Sequence, residues 1–303
     1  VKKYLIHILK VTKSLFIRPI RTIRWIKEDI YKDSKSKDYK SKYKFVWCAG
    51  LPKSGTSLIE EIFDYLPYVR QSASFNRIFY PGRLDHVHGI SEELFENFPK
   101  DKFTFLKTHT HYSEKYEKIS NKYNLRVIIS LRDIRDMLIS RYFHIKNFKK
   151  HYLHDKINNL NFTDGFIESL KSKSSPDLPN ALNYYYFWIF NWLKVSKKRD
   201  YLVLWYENYK ENPEEYINKI LNYVDFKNFS PKDIEKKLEL KRKNNQSINE
   251  SLSEYGKLKG TFRKGKVDEW KDHFNEEISE YFFSNIPGNL NEIIYKGEEI
   301  KKL

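Results

Sequence analysis

The chain has a single cysteine, Cys48, among 303 residues. That excludes an intramolecular disulfide scaffold and is the usage expected in a reducing compartment. There is no run of about 18 uncharged apolar residues, so no membrane-spanning helix is expected. No set of His, Cys, Asp and Glu has the spacing of a metal site, so no metal requirement is expected. Glycine and proline number only ten each, which excludes a collagen-like chain. What is present is hydrophobic and aromatic: 40% and 17% of the residues. That is enough for a sizeable core, in one large domain or two small ones, and it excludes a disordered chain.

The net charge of +16 is unevenly distributed. Residues 1–44 hold 14 Lys/Arg and four Asp/Glu, a net +10, and the rest of the chain carries +6. Within this arm Leu5, Ile8, Leu9, Leu15 and Phe16 fall on one helical face, Pro19 interrupts, and Ile23, Ile26 and Ile30 resume the step. Such a basic amphipathic arm either packs on the domain with its charges solvated or lies on an anionic membrane surface. Lys10, Lys13 and Arg18 break its apolar run, so it does not read as a signal peptide. Cytoplasm, at a membrane surface if the arm lies on one, is the expected location.

Residues 33–44 are polar and read as a linker. From residue 45 onward four short apolar runs read as buried strands: 45–50, 103–106, 126–131 and 201–205. Helical patterns fall between and after them, at 57–66, 134–148, 181–197 and 214–223. This alternation predicts an α/β fold in three layers, a mostly parallel central sheet with helices on both faces. The expected division is an arm over 1–44 and one domain over 45–303. Residues 171–179 read as a loop by their Ser and Pro, and 241–261 as a long polar loop. The aromatic run 184–192 is expected to be a core helix.

The first strand runs into Gly50-Leu-Pro-Lys-Ser-Gly-Thr-Ser57. Gly50 and Gly55 have the spacing of the nucleotide-triphosphatase phosphate loop, but Thr56 stands where that loop has Lys, and the lysine lies inside the loop at Lys53. Backbone N–H groups and the following helix N-terminus still make an anion cradle. Lys53 supplies charge, and Ser54, Thr56 and Ser57 can add hydroxyls.

Pro52-Lys-Ser-Gly-Thr56 resembles the 5′-phosphosulfate loop of the sulfotransferases that use 3′-phosphoadenosine 5′-phosphosulfate (PAPS). Further motifs follow in the family's order. Lys107-Thr-His109 resembles its histidine motif. Arg132 and Ser140, eight apart, resemble its 3′-phosphate site. Tyr206-Glu-Asn with Asn212-Pro213, and Arg263-Lys-Gly265 with Trp270-Lys271, complete the set. The resemblance covers about residues 45–275.

It implies in-line sulfuryl transfer from PAPS to an acceptor hydroxyl of a small alcohol, phenol or carbohydrate, with adenosine 3′,5′-bisphosphate (PAP) as product and no metal. Such a reaction needs positioning and neutralisation of charge on the leaving oxygen. The resemblance assigns that neutralisation to Lys53, the general base to His109 and an electrostatic role to Lys107. His111, two residues on, is a competitor for the base. Ser54, Gly55, Thr56 and Ser57 would hold the 5′-phosphosulfate. Arg132, Ser140, Arg263, Lys264 and the Gly265 backbone would hold the 3′-phosphate, and Tyr206 the adenine. Arg135 and Arg141 are expected to be structural, on a solvated helix face.

Departures bear on the acceptor and the oligomer. Leu58 replaces an adenine-stacking Trp, Thr110-His111 replaces Leu-Pro, and Asp268-Glu269 replaces Gly-Asp. Asn275-Glu276 replaces Thr-Val in the family's dimer motif, so that dimer is not inferred. Residues 70–101, with Phe75, Phe79, Tyr80, His86 and His88, and residues 144–190 are expected around the acceptor. On the residues alone two other readings stay open. One is a P-loop NTPase or kinase-like phosphoryl transferase, opposed by Thr56 and the lack of a clear Mg²⁺ aspartate. The other is a non-enzymatic binder of polyanions or membrane through the arm, which leaves the ordered motifs unexplained. No specific nucleic acid partner is expected.

Overall fold

A computed structural model describes residues 43–66, 69–71, 89–97, 103–149, 151–173, 180–253 and 265–295, together with Thr12 and Ile23. The arm otherwise lies outside the described residues, as do Phe75, Phe79, Tyr80, His86 and His88.

Strand β1, Phe45–Gly50, is buried along its whole length, as the centre of a parallel sheet requires. Phe45, Trp47 and Ala49 enter one apolar core, and Val46 and Cys48 the other. This is the period-2 alternation of a pleated strand. With β2 (Val69–Gln71), β3 (Phe103–Thr108), β4 (Arg126–Leu131) and β5 (Leu202–Trp205) it forms a five-stranded sheet in the order β2-β3-β1-β4-β5. Every pairing is parallel. The register sets Ala49 beside Thr108, Gly50 beside Ser130 and Leu131 beside Trp205, so four strands end on one edge. The connection from β1 leads toward β2 and that from β4 toward β5. A crevice therefore opens between β1 and β4, the switch point where open α/β sheets bind ligands.

One face is covered by α1 (Thr56–Asp64), α9 (Pro213–Tyr223) and the start of α10 (Pro231–Ser253). Ile59, Ile62 and Phe63 of α1 and Ile217 and Ile220 of α9 meet Val46, Phe105 and Ile128 there. Helices α2 (Glu92–Asn97), α3 (Glu114–Lys122) and α4 (Ile134–Asn147) contribute to the core on the other face. So do α5 (His154–Asn158), α6 (Phe162–Lys171), α7 (Ala181–Ser196) and α11 (Glu276–Asn285). Helix α8 (Tyr206–Glu211) follows β5 directly. The abundant asparagines start helices: Asn161, Asn180, Asn212 and Asn275 each accept from the amide three residues on.

The aromatic run 184–192 is the core helix that its sequence predicts. Trp188 and Trp192 of α7 are fully buried, and Trp192 packs edge-on to Trp47 at 5.4 Å. The expected loop over 241–261 is corrected. Helix α10 continues to Ser253, through polar residues of mixed helix propensity, while 254–261 lie outside the described residues. With little apolar period, periodicity could not show it. Strand β2, only three residues long, also went unseen.

Candidate active site

The segment from Leu51 to Gly55 joins β1 to α1. Lys53 has φ 76° and Gly55 φ 97°, so two left-handed residues curl the backbone within one turn. A Cβ on Gly50 would lie 2.3 Å from Thr56 Cγ2, so that position admits only glycine. Ser54 closes the loop: its amide and Oγ both donate to the Leu51 carbonyl, at 3.1 and 2.8 Å. Ser130 of β4 donates to the Ser54 carbonyl at 2.9 Å. The Ser54 hydroxyl therefore shapes the loop instead of facing its mouth. Thr56 is buried beside Gly50, and Ser57 is exposed. Helix α1 starts at Gly55 with no side-chain cap and no acid in its first turn. Helix-start amides lack intrahelical partners and carry partial positive charge, so this end suits an anion.

His109 follows β3. Its Nδ1 lies 2.5 Å from the Gly50 carbonyl, and a carbonyl can only accept. Nδ1 therefore carries the hydrogen, and Nε2 of the neutral ring keeps a lone pair. Trp188 donates to the His109 carbonyl at 3.2 Å and Trp192 to that of Thr110 at 3.1 Å, so α7 fixes the segment. Lys107 forms a half-buried ion pair with Glu60 of α1. His111 packs against Tyr184 of α7. Its Nε2 is buried without a hydrogen-bond partner, and its ring stands edge-on to Tyr184 at 4.4 Å. Desolvation lowers its pKa to about 4.

Beyond β4, Arg132 is only 6% exposed. Its Nη2 donates to the Lys266 carbonyl at 2.6 Å and to Asp136 at 3.3 Å, while its Nε is buried without a partner. The guanidinium lies 5.0 Å from the centre of the Tyr206 ring. The Tyr206 hydroxyl donates to the Gly265 carbonyl at 3.2 Å. A Cβ on Gly55 would meet Tyr206 at 3.0 Å. Loop, arginine, tyrosine and Gly265 are thus one assembly. Ser140 stands two turns along α4, half-buried. Arg263 and Lys264 lie outside the described residues.

Arg135 and Arg141 are not on a solvated face, which corrects that expectation. Arg135 is buried, hydrogen-bonded to both Asp133 oxygens at 2.9 and 2.5 Å, and its guanidinium lies 3.8 Å from the Trp270 ring centre. Arg141 donates to the Ser169 carbonyl and the Ser172 hydroxyl at the end of α6, at 2.8 and 2.9 Å. Four residues around the candidate site have no role assigned by sequence reasoning. Ser130 braces the loop, and Asp136 joins Arg132 to the C-terminal segment. Glu207 accepts from the Asp133 amide at 2.9 Å, and burial lifts its pKa to about 7. His144 is lowered to about 4 by burial and by the charge of Lys53. Glu207 stands inside the Tyr206-Glu-Asn motif, and His144 one helical turn after Ser140. A cleft of about 550 Å³ lies between α6 and α11, lined by Asp164, Glu168, Glu277 and Glu280, and shares no residue with this site.

The fold and the loop define an α/β protein with an uncapped helix start at the switch point of a parallel sheet. Residues 44–290 match the family described as the sulfotransferase domain, and the chain belongs to that family. It is 25% identical to sulfotransferase 1E1 of Rattus norvegicus over 76% of this chain and 78% of the relative. It is 26% identical to sulfotransferase 2A6 of Mus musculus, over 85% and 88%. It is 24% identical to flavonol 3-sulfotransferase of Flaveria bidentis, over 78% of each. Among solved structures, mouse sulfotransferase SULT7A1 complexed with PAP shares the fold at a TM-score of 0.53 and 15% identity, over 84% of this chain and 86% of that one. A retinol dehydratase in complex with androsterone and PAP does so at 0.51 and 18%, over 79% and 78%.

Proposed function

We propose that the protein transfers the sulfuryl group of PAPS to a hydroxyl of a small-molecule or carbohydrate acceptor, releasing PAP. Bound PAPS supplies the activated sulfuryl group. The observation that carries the reading is the convergence, on one sheet edge, of the uncapped loop with Lys53, of His109, and of buried Arg132 with an unpartnered Nε beside Tyr206 and Gly265. An unpartnered buried donor and an uncapped helix start are what an anionic nucleotide satisfies. Lys53 neutralises charge at the loop, and the first-turn amides of α1 add donors. His109, held by Gly50 as the Nδ1–H tautomer, takes the acceptor proton on Nε2. Lys107 acts at a distance, from its pair with Glu60. His111 is a poor rival for the base, because its Nε2 is enclosed.

Among the described residues no group of three His, Cys, Asp or Glu side chains is placed to hold a metal ion. None of the described helices is long and apolar enough to cross a membrane. The name of the flavonol 3-sulfotransferase makes flavonols an acceptor class to screen first. The basic arm is read as a contact for anionic membrane surfaces. Deleting residues 1–40 should abolish binding to anionic vesicles and leave transfer intact.

The deciding experiment is a thermal-shift titration with PAP, 5′-AMP and ATP–Mg²⁺, since a ligand of the native state raises its melting temperature. PAP should shift it, and Lys53→Ala or Arg132→Ala should remove the shift. A response to ATP–Mg²⁺ alone would replace this reading with a triphosphatase.

A further inference from the structure

We infer that Asp136 is the positioning residue for recognition of the donor's 3′-phosphate, through the anchor it makes between α4 and the C-terminal segment. Its carboxylate is fully buried. Oδ1 accepts the Trp270 amide at 2.9 Å and Oδ2 the Asp268 amide at 2.9 Å. Oδ2 also accepts Nη2 of Arg132 at 3.3 Å. These amides lie more than 130 residues away in sequence, so the bonds are tertiary, not local. The same Nη2 donates to the Lys266 carbonyl at 2.6 Å. Carboxylate, guanidinium and segment thus close a ring, and Arg132 is gripped from two sides while its Nε stays unpartnered.

The segment needs such an anchor. Gly265 and Asp268 have φ 60° and 59°, so the chain is bent twice within four residues. A non-glycine residue in that region is strained and persists only where its surroundings enforce it. Asp136 binds the Asp268 amide itself. From outside, Arg135 stacks on the Trp270 ring while Asp133 holds its guanidinium. Burial raises the pKa of Asp136, and the Arg132 charge and the Trp270 amide oppose this. The carboxylate is thus satisfied as an anion by groups that belong to the donor site. Gly265, tied to the Tyr206 hydroxyl, begins the stretch so anchored.

This rests on the proposed reading of Arg132 as a 3′-phosphate ligand. Asp136 touches no substrate there; it sets where Arg132 and the backbone at 265–268 stand. Its removal should cost discrimination between PAP and 5′-AMP, which differ only at the 3′-phosphate, and should raise the KM for PAPS while leaving that for the acceptor.

The test measures dissociation constants of PAP and 5′-AMP for wild type, Asp136→Asn and Asp136→Ala, with amide hydrogen exchange of the unliganded proteins. Asn keeps the shape but only one acceptor oxygen. The preference for PAP should fall on the order of tenfold in Asp136→Asn and further in Asp136→Ala, with 5′-AMP binding little changed. The Asp268 and Trp270 amides should lose protection in both variants. If Asp136→Ala does not fold, the near-isosteric Asn variant decides. Unchanged discrimination, or equal loss for both nucleotides, overturns the positioning role. Unchanged amide protection overturns the anchor. A wild type without preference for PAP, its two amides still protected, defeats the donor reading and the inference together.

Discussion

His111→Leu should stabilise the protein, and more so in acid. The His111 Nε2 is buried without a partner, against the edge of Tyr184. An unsatisfied buried polar atom costs about 1–3 kcal/mol, and leucine fills a similar volume without one. The gain at pH 7 is therefore about 1–2 kcal/mol. Protonation adds a second effect. The pKa of His111 is lowered from 6.5 to about 4, so below pH 6.5 the unfolded chain binds more protons than the native state. Stability therefore falls as pH drops from 6.5 toward 4. At 1.36 kcal/mol per pH unit the shift amounts to about 3 kcal/mol, or about 2 kcal/mol once solvent screening of the partly exposed ring is allowed for. His144 shifts in the same direction and remains in the variant as an internal reference. Urea unfolding of both proteins at pH 7.5 and pH 4.5 measures the gap. It should be about 1–2 kcal/mol at the higher pH and about 3–4 kcal/mol at the lower. A variant less stable at pH 7.5, or a gap that does not widen in acid, would refute the reasoning.

Gly50→Ala should lower the melting temperature by about 5 °C or more, because its Cβ meets Thr56, Ser54 and Ser130 at 2.3–2.8 Å. The same variant should lose PAP binding, read by calorimetry. His109→Ala should abolish transfer while PAP affinity stays within about threefold of wild type; turnover near wild type in a radiolabel assay would remove His109 as the base. Cys48 is fully buried and its thiol is pushed up to about 12. It should therefore resist iodoacetamide in the native protein at pH 8 and react on unfolding, as mass spectrometry would show.

The sheet was legible because strands buried on both faces read as unbroken apolar runs: 45–50 and 126–131 agree with β1 and β4 residue for residue. Helix α10 was not, because beyond Leu238 it has little apolar period and its partners lie on other elements. Lys241 pairs with Glu61, and Glu235 accepts from the Tyr209 hydroxyl. Among the candidate site residues, Lys53, His109, Arg132, Tyr206 and Gly265 stand out in the sequence because they fall in short motifs, and the fold brings Arg132, Tyr206 and Gly265 together. Their partners were not legible. Nothing in a sequence pairs Lys107 with Glu60, or sets Asp136 against amides more than 130 positions away. Arg135 was misread for the same reason: on its own helix it looks solvated, and Trp270 reaches it only in the fold.

Gly50 shows why the proposed base and the proposed anion cradle stand together. Its missing side chain lets Thr56, Ser54 and Ser130 close on β1, and this brings the start of α1 over the crevice. Its carbonyl, at the end of the same strand, fixes Nδ1 of His109 at the end of the neighbouring one. The pairing of Ala49 with Thr108 makes that reach unavoidable, since it sets the two chain exits level. The loop and His109 are therefore not two devices placed near each other. They share one peptide unit, and any change that moves it displaces the cradle and turns the imidazole together.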